Sequence, residues 1–111
     1  MILFSTVLQY LEQPLDLLEK AVEIGPATIV IDRTPIVALP ENRIVVQRVP
    51  RRLGKASYPA WLFNKDRLLD PARDRYRIVA EYDAVDGVMS YGSVRVDFKG
   101  FILDKTNERV E

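Results

Sequence analysis

Ile2, Leu3 and Phe4 form a short apolar run that turns polar at Ser5 and Thr6, the pattern of a buried strand reaching its end. Leu11, Leu15, Leu18 and Val22 then recur at helical spacing, and Leu17, Ala21 and Ile24 widen the apolar face. Gln13-Pro14 predicts the helix start, because a proline in the first turn gives up an N–H that has no intrahelical partner there. Asp16 near the positive end of the dipole supports the same start, and Gly25-Pro26 marks the stop. Thr28–Ile31 is a continuous β-branched run, as expected of a strand covered on both faces in a parallel sheet. Strand, helix and strand within about thirty residues predict a βαβ unit with a right-handed crossover.

Beyond this unit the pattern is less regular. Thr34 to Asn42 carries Pro35 and Pro40 and reads as a loop, Arg43–Val49 as a strand closed by Pro50, and Arg51–Pro59 as irregular. Asn64 is placed to cap a short helix over residues 65–69, which Asp70-Pro71 ends. Tyr76–Tyr82 and Ser93–Leu103 suit two strands of a β-hairpin, with the Gly87- and Gly92-containing segment 83–92 as the loop between them. Residues 104–111 read as a polar tail, and the whole of 1–111 as a single domain. The expected class is α/β: a βαβ unit, then a short helix and a carboxy-terminal antiparallel hairpin.

Composition narrows the chemistry more than it names it. The chain of 111 residues has sixteen basic and sixteen acidic side chains, so no overall field draws it to nucleic acid or anionic lipid. It has no cysteine, which removes disulfides, thiolate nucleophiles and zinc–cysteine sites and favours a cytoplasmic setting. It has no histidine either, so a Ser–His–Asp centre cannot be assembled from these residues. The apolar start has no Lys or Arg before it and meets Glu12 early, unlike a signal peptide, and no run reaches membrane-spanning length.

In a parallel sheet, ligands gather beyond the carboxyl ends of the strands. Here that places Ser5 and Thr6 beside Asp32, Arg33 and Thr34. Asp32 suits orienting a substrate hydroxyl or amine, and Arg33 suits holding a carboxylate or phosphate; both are also ordinary solvated loop residues. Gln9 and Tyr10 belong to the start of the helical segment and can reach over the same end of the sheet. Tyr58 and Trp61 offer an aromatic wall for a substrate, with core packing the competing role for Trp61. Arg48, Arg51, Arg52 and Lys55 beside these aromatics are the best case for binding an anion or nucleic acid, against the zero net charge. Asp83 and Asp86 lack the spacing of a calcium loop. The five glycines are scattered, and none follows a strand to open a helix as a phosphate cradle does. No metal site is expected.

FSTVLQYLEQPLDLLEKA (Phe4–Ala21) resembles the fourth strand and following helix of class I S-adenosylmethionine-dependent methyltransferases. ATIVIDRTPIV and QRVPRRLGKASYPAWLF, with their IDRTP and KASYP segments, resemble a narrower group of bacterial methyltransferase-like proteins. The resemblance runs to about Lys105. It implies the second half of a Rossmann-like sheet of seven strands ending in an antiparallel one, with Ile2–Phe4 as the fourth strand, Thr28–Ile31 as the fifth and the hairpin as the last two. It further implies that Ser5, Thr6 and Gln9 lie toward the methyl donor, with Tyr10 near donor or acceptor, and that Asp32, Arg33 and Thr34 face the acceptor. Asp32 and Tyr10 are then the candidates for removing the acceptor's proton.

This sequence departs from that pattern in two respects. The glycine-rich donor loop and the acidic residue that holds the ribose have no counterpart here. The expectation is therefore a half-domain, through truncation, a misassigned start or gene decay, that does not bind S-adenosylmethionine tightly by itself. A strand stripped of its neighbour would leave Ile2, Leu3 and Phe4 in water at about 1.5–3 kcal/mol each, which predicts a homodimer or higher oligomer through the amino-terminal region. The alternatives are a non-catalytic α/β module that assembles with itself or a partner, and a binder of an anion or nucleic acid through Arg48–Lys55.

Overall fold

The computed structural model describes residues 1–48 and 57–106, with the side chains of 47, 48, 57 and 58 outside that description. Among the described residues the chain is α/β, with a mixed sheet of six strands and two helices. In chain order these are β1 (Ile2–Ser5), α1 (Pro14–Ile24), β2 (Thr28–Val37), β3 (Arg43–Arg48), β4 (Ser57–Asn64), α2 (Lys65–Leu69), β5 (Tyr76–Tyr91) and β6 (Val94–Lys105). A 3-10 turn at Leu8–Tyr10 precedes α1, and another at Asp70–Ala72 continues α2.

The βαβ unit is present as its pattern predicts. β1 pairs in parallel with β2, from Ile2 opposite Ile29 to Ser5 opposite Asp32. α1 begins at Pro14 and ends on Gly25, whose φ of 75° is left-handed and whose N–H donates to the Ala21 carbonyl at 3.2 Å. Glycine adopts that backbone without a Cβ penalty. β6 lies antiparallel between β2 and β5, so the last strand in sequence is an interior one in space.

One face of the sheet carries the main core. Phe4, Ile29, Ile31, Phe101 and Leu103 meet Leu18, Ala21 and Val22 of α1 and Leu68 and Leu69 of α2. Period-two alternation sends Leu3, Val30 and Ile102 to the opposite face, where Leu3 is 56% exposed and Val30 and Ile102 are half-buried. Farther along, that second face closes over a smaller cluster of Val37, Leu62 and Val96, with Val45 and Phe98 against it. The expectation that Ile2, Leu3 and Phe4 all lie open is thus corrected. Phe4 is buried and Ile2 packs on the core, leaving Leu3 alone of the three in water.

Several boundaries move. The segment from Thr34, expected to be loop, extends β2 to Val37, because Thr34–Ile36 pair with β6 and Ile36–Val37 with β4. Pro35 falls between the last pairing with β1 and the first with β4, so on that side its missing N–H removes no ladder bond. Residues 57–59, expected to be irregular, open β4, whose pairing with β3 runs from Arg43–Leu62 to Arg48–Ser57. Segment 83–92 is not a loop. β5 continues through it with an irregularity between Asp83 and Val88, where Gly87 has φ 79°, and the hairpin turns at Gly92-Ser93. Asp104 and Lys105 belong to β6 rather than to a tail. Val49–Ala56 and residues 107–111 lie outside the described residues. Among the described residues no helix is long and apolar enough to cross a membrane.

Candidate functional site

The carboxyl end of β1 meets β2 where β2 kinks. Both strands leave regular backbone there: Thr6 has φ 53° and Arg33 φ 55°, the two non-glycine residues with positive φ among the described residues. For a β-branched threonine this is a genuine outlier, and such strain concentrates at functional sites. The two are tied together, since the Thr6 N–H donates to the Asp32 carbonyl at 3.1 Å. The Thr34 hydroxyl donates to that same carbonyl at 3.2 Å, and the Thr6 hydroxyl to the Ser5 carbonyl at 2.6 Å.

The Asp32 carboxylate is held from two sides. Ser5 Oγ donates to Oδ2 at 3.4 Å, and Tyr82 Oη, two strands away on β5, donates to Oδ1 at 2.8 Å. Tyr82 gets there by lying across Gly100, its register partner on β6; a Cβ on Gly100 would overlap the tyrosine ring and hydroxyl. Burial, then the hydrogen bond and the negative charge of Asp32, push the Tyr82 phenol above its usual range, so it stays a donor at neutral pH. Each oxygen of Asp32 keeps a second lone pair for an incoming donor.

Arg33 is engaged differently from the expectation. Its guanidinium grips Asp86 on β5 bidentately, Nε to Oδ1 at 2.9 Å and Nη2 to Oδ2 at 3.2 Å. The pairing holds the Asp86 carboxyl below, and the arginine above, their ordinary ranges. A carboxylate or phosphate ligand at Arg33 would have to displace Asp86.

Gln9 is 3% exposed. Its Nε2 donates to the Arg33 carbonyl at 3.5 Å, and its Oε1 has no hydrogen-bond partner among the described residues. On the side toward β3 and β4, Gln9, Tyr10, Leu11 and Glu12 face Ile44, Pro59, Ala60 and Trp61 across a recess of about 100 Å³. Trp61 packs against the core, its indole N–H donates to the Leu11 carbonyl at 3.1 Å, and it walls the recess. Tyr58 lies in β4, but its side chain, like those of Arg48, Arg51, Arg52 and Lys55, is outside the described residues.

Ser5, Thr6, Gln9, Asp32, Arg33 and Thr34 therefore form one connected cluster, while Tyr10 and Trp61 belong to the adjoining recess that Gln9 shares. Sequence reasoning did not join Tyr82 or Asp86 to this cluster. Tyr82 had a usable signal: Gly100 within an otherwise apolar strand pattern marks a close approach by a neighbour. Among the described residues no three acidic side chains gather to hold a metal ion. No family model, curated protein or solved structure matches this chain.

Proposed function

We propose that the chain is the carboxy-terminal portion of a cytoplasmic, S-adenosylmethionine-dependent methyltransferase-like domain, and that these residues alone do not hold the methyl donor tightly. One observation carries the reading. Two parallel strands joined by a crossover helix are followed by a final strand lying antiparallel between β2 and β5. β6 is a counterpart for the terminal antiparallel strand that the sequence resemblance implies. In this reading Ser5, Thr6 and Gln9 lie toward the donor. Asp32, fixed by Tyr82, and Tyr10 serve the acceptor's proton, and Thr34 and Trp61 shape its surroundings. Catalysis would consist chiefly of placing donor and acceptor in line.

Titration with S-adenosylmethionine, followed by amide resonances, tests this. The expected outcome is shifts confined to Ser5–Tyr10 and Asp32–Thr34, with half-saturation above about 1 mM. Micromolar affinity would refute weak binding by the chain alone, and shifts elsewhere or nowhere would refute the assignment.

A second reading, a self-associating α/β module, is favoured by the partly open face bearing Leu3, Val30 and Ile102. Parallel strands are ordinarily covered on both faces, and no other strand pairs β1 among the described residues. A homodimer through the amino-terminal region would cover both.

A further inference from the structure

We propose that Asp86-Gly87 is a modification site, where the backbone rearranges spontaneously to isoaspartate at a pace set by the Arg33 clamp. Among the aspartates and asparagines of the chain, Asp86 is the single one followed by glycine. A glycine there leaves the amide nitrogen unhindered, since no side chain shields it.

The fold leaves room for this chemistry. Residues 84–87 fall outside the register of β5 with β6, and β5 is the terminal strand of the sheet. Among the described residues, therefore, no strand pairs them on either side. Asp86 is exposed, and its neighbour Val85 is 88% exposed. Nothing among the described residues lies within 4 Å of the point where a Cβ on Gly87 would stand. Backbone of this kind opens locally at low cost.

The reaction needs only water. With Asp86 protonated, the Gly87 nitrogen attacks Cγ and the N–Cγ bond forms. One carboxyl oxygen leaves as water, taking the amide and carboxyl protons. Water then opens the cyclic imide. Breaking N–Cγ restores aspartate, whereas breaking the bond from N to the Asp86 carbonyl carbon routes the chain through Cγ. The carboxylate of the isoaspartate then sits directly on Cα, one carbon closer to the backbone.

Arg33 sets the pace. Its grip at 2.9 and 3.2 Å engages both carboxylate oxygens and favours the ionised form, a poor target for the nitrogen. The pair must part before the ring can close. In the isoaspartate the shortened carboxylate loses that geometry, and the guanidinium is freed. The occupant that an anionic ligand at Arg33 would have to displace is then gone. The chemistry uses no methyl donor, so it stands or falls separately from methyl transfer.

Incubation of the folded protein in mildly acidic heavy-oxygen water, with tryptic digestion at intervals, tests this. In the Ile78–Arg95 peptide, heavy oxygen and isoaspartate should accumulate at residue 86 and not at Asp83, which alanine follows. Arg33→Asn tolerates the left-handed backbone and removes the grip. It should speed the accumulation about fivefold, the worth of a well-placed exposed ion pair. In aged wild type the Arg33 Nε–H resonance should shift in step with the isoaspartate fraction. An unmodified residue 86, equal modification of Asp83, or an unchanged rate in Arg33→Asn would each overturn the proposal. Should Arg33→Asn fail to fold, the arginine resonance decides: no shift as isoaspartate grows would overturn it.

Discussion

Thr6 carries a left-handed backbone on a β-branched side chain, a conformation that costs an L-residue roughly 1–2 kcal/mol. Asparagine tolerates it better, so Thr6→Asn is expected to raise the urea-unfolding free energy by about 0.5–1 kcal/mol. Gly100 is the converse case. Any Cβ there meets the Tyr82 ring, so Gly100→Ala should destabilise the protein by about 1–3 kcal/mol. Because the ring is what the methyl group strikes, Gly100→Ala and Tyr82→Ala should be non-additive in a double-mutant cycle. The same tyrosine sets an alkaline limit. Its folded-state pKa is raised, so its contribution is complete below the unfolded value near 10 and is lost as pH rises through the folded value. Asp86 works in the opposite direction. Its pKa is lowered, so its contribution is present above the ordinary carboxyl range near 3.8 and is lost as pH falls through the depressed value. Stability measured against pH should lose part of its alkaline slope in Tyr82→Phe, since the Tyr76 and Lys99 pKa values are raised as well, and part of its acid slope in Asp86→Asn.

Among the elements, α1 and the cap of α2 were legible because their signals are local. A proline at the start, a glycine at the stop and an asparagine cap each act within a few residues. Asn64 goes beyond its capping role. Its Oδ1 accepts from the Arg67 N–H at 3.0 Å, its Nδ2 donates to the Leu39 carbonyl at 2.6 Å, and its own N–H donates to Asn42 Oδ1 at 2.8 Å. Asn64→Ala should therefore cost at least the roughly 1–2 kcal/mol of a lost cap, read from thermal unfolding. The extension of β2 through Pro35 and of β5 through Gly87 was not legible. Both residues are strand breakers in isolation. Pro35 is accommodated because pairing is supplied on its other side, and Gly87 because β5 bulges by three extra residues between Asp83 and Val88 against β6. The candidate site divides the same way. Asp32, Arg33, Ser5 and Gln9 follow from their places at the strand ends. Tyr82 and Asp86, some fifty residues on, are delivered by a hairpin whose register the sequence pattern does not specify.

At the scale of the whole molecule, the covering of the sheet is uneven. Helices close one face, while Leu3, Val30 and Ile102 on the other stay partly in water. If this region joins two copies, sedimentation velocity at micromolar concentration should show a dimer in the wild type and a monomer in Leu3→Glu. A wild-type monomer that is well folded would remove the self-association reading.

The left-handed kink at Arg33 also acts on how β2 finds its place. A ten-residue strand among three neighbours could in principle slide by two positions and still present the same faces. With the kink fixed in space, such a slide would hand the left-handed backbone to Ile31, which is β-branched, or to Pro35, whose ring forbids it. A slide by one would turn Ile29 and Ile31 out of the core. The same peptide that strains the site therefore works as a notch, leaving the central strand one alignment in which to close.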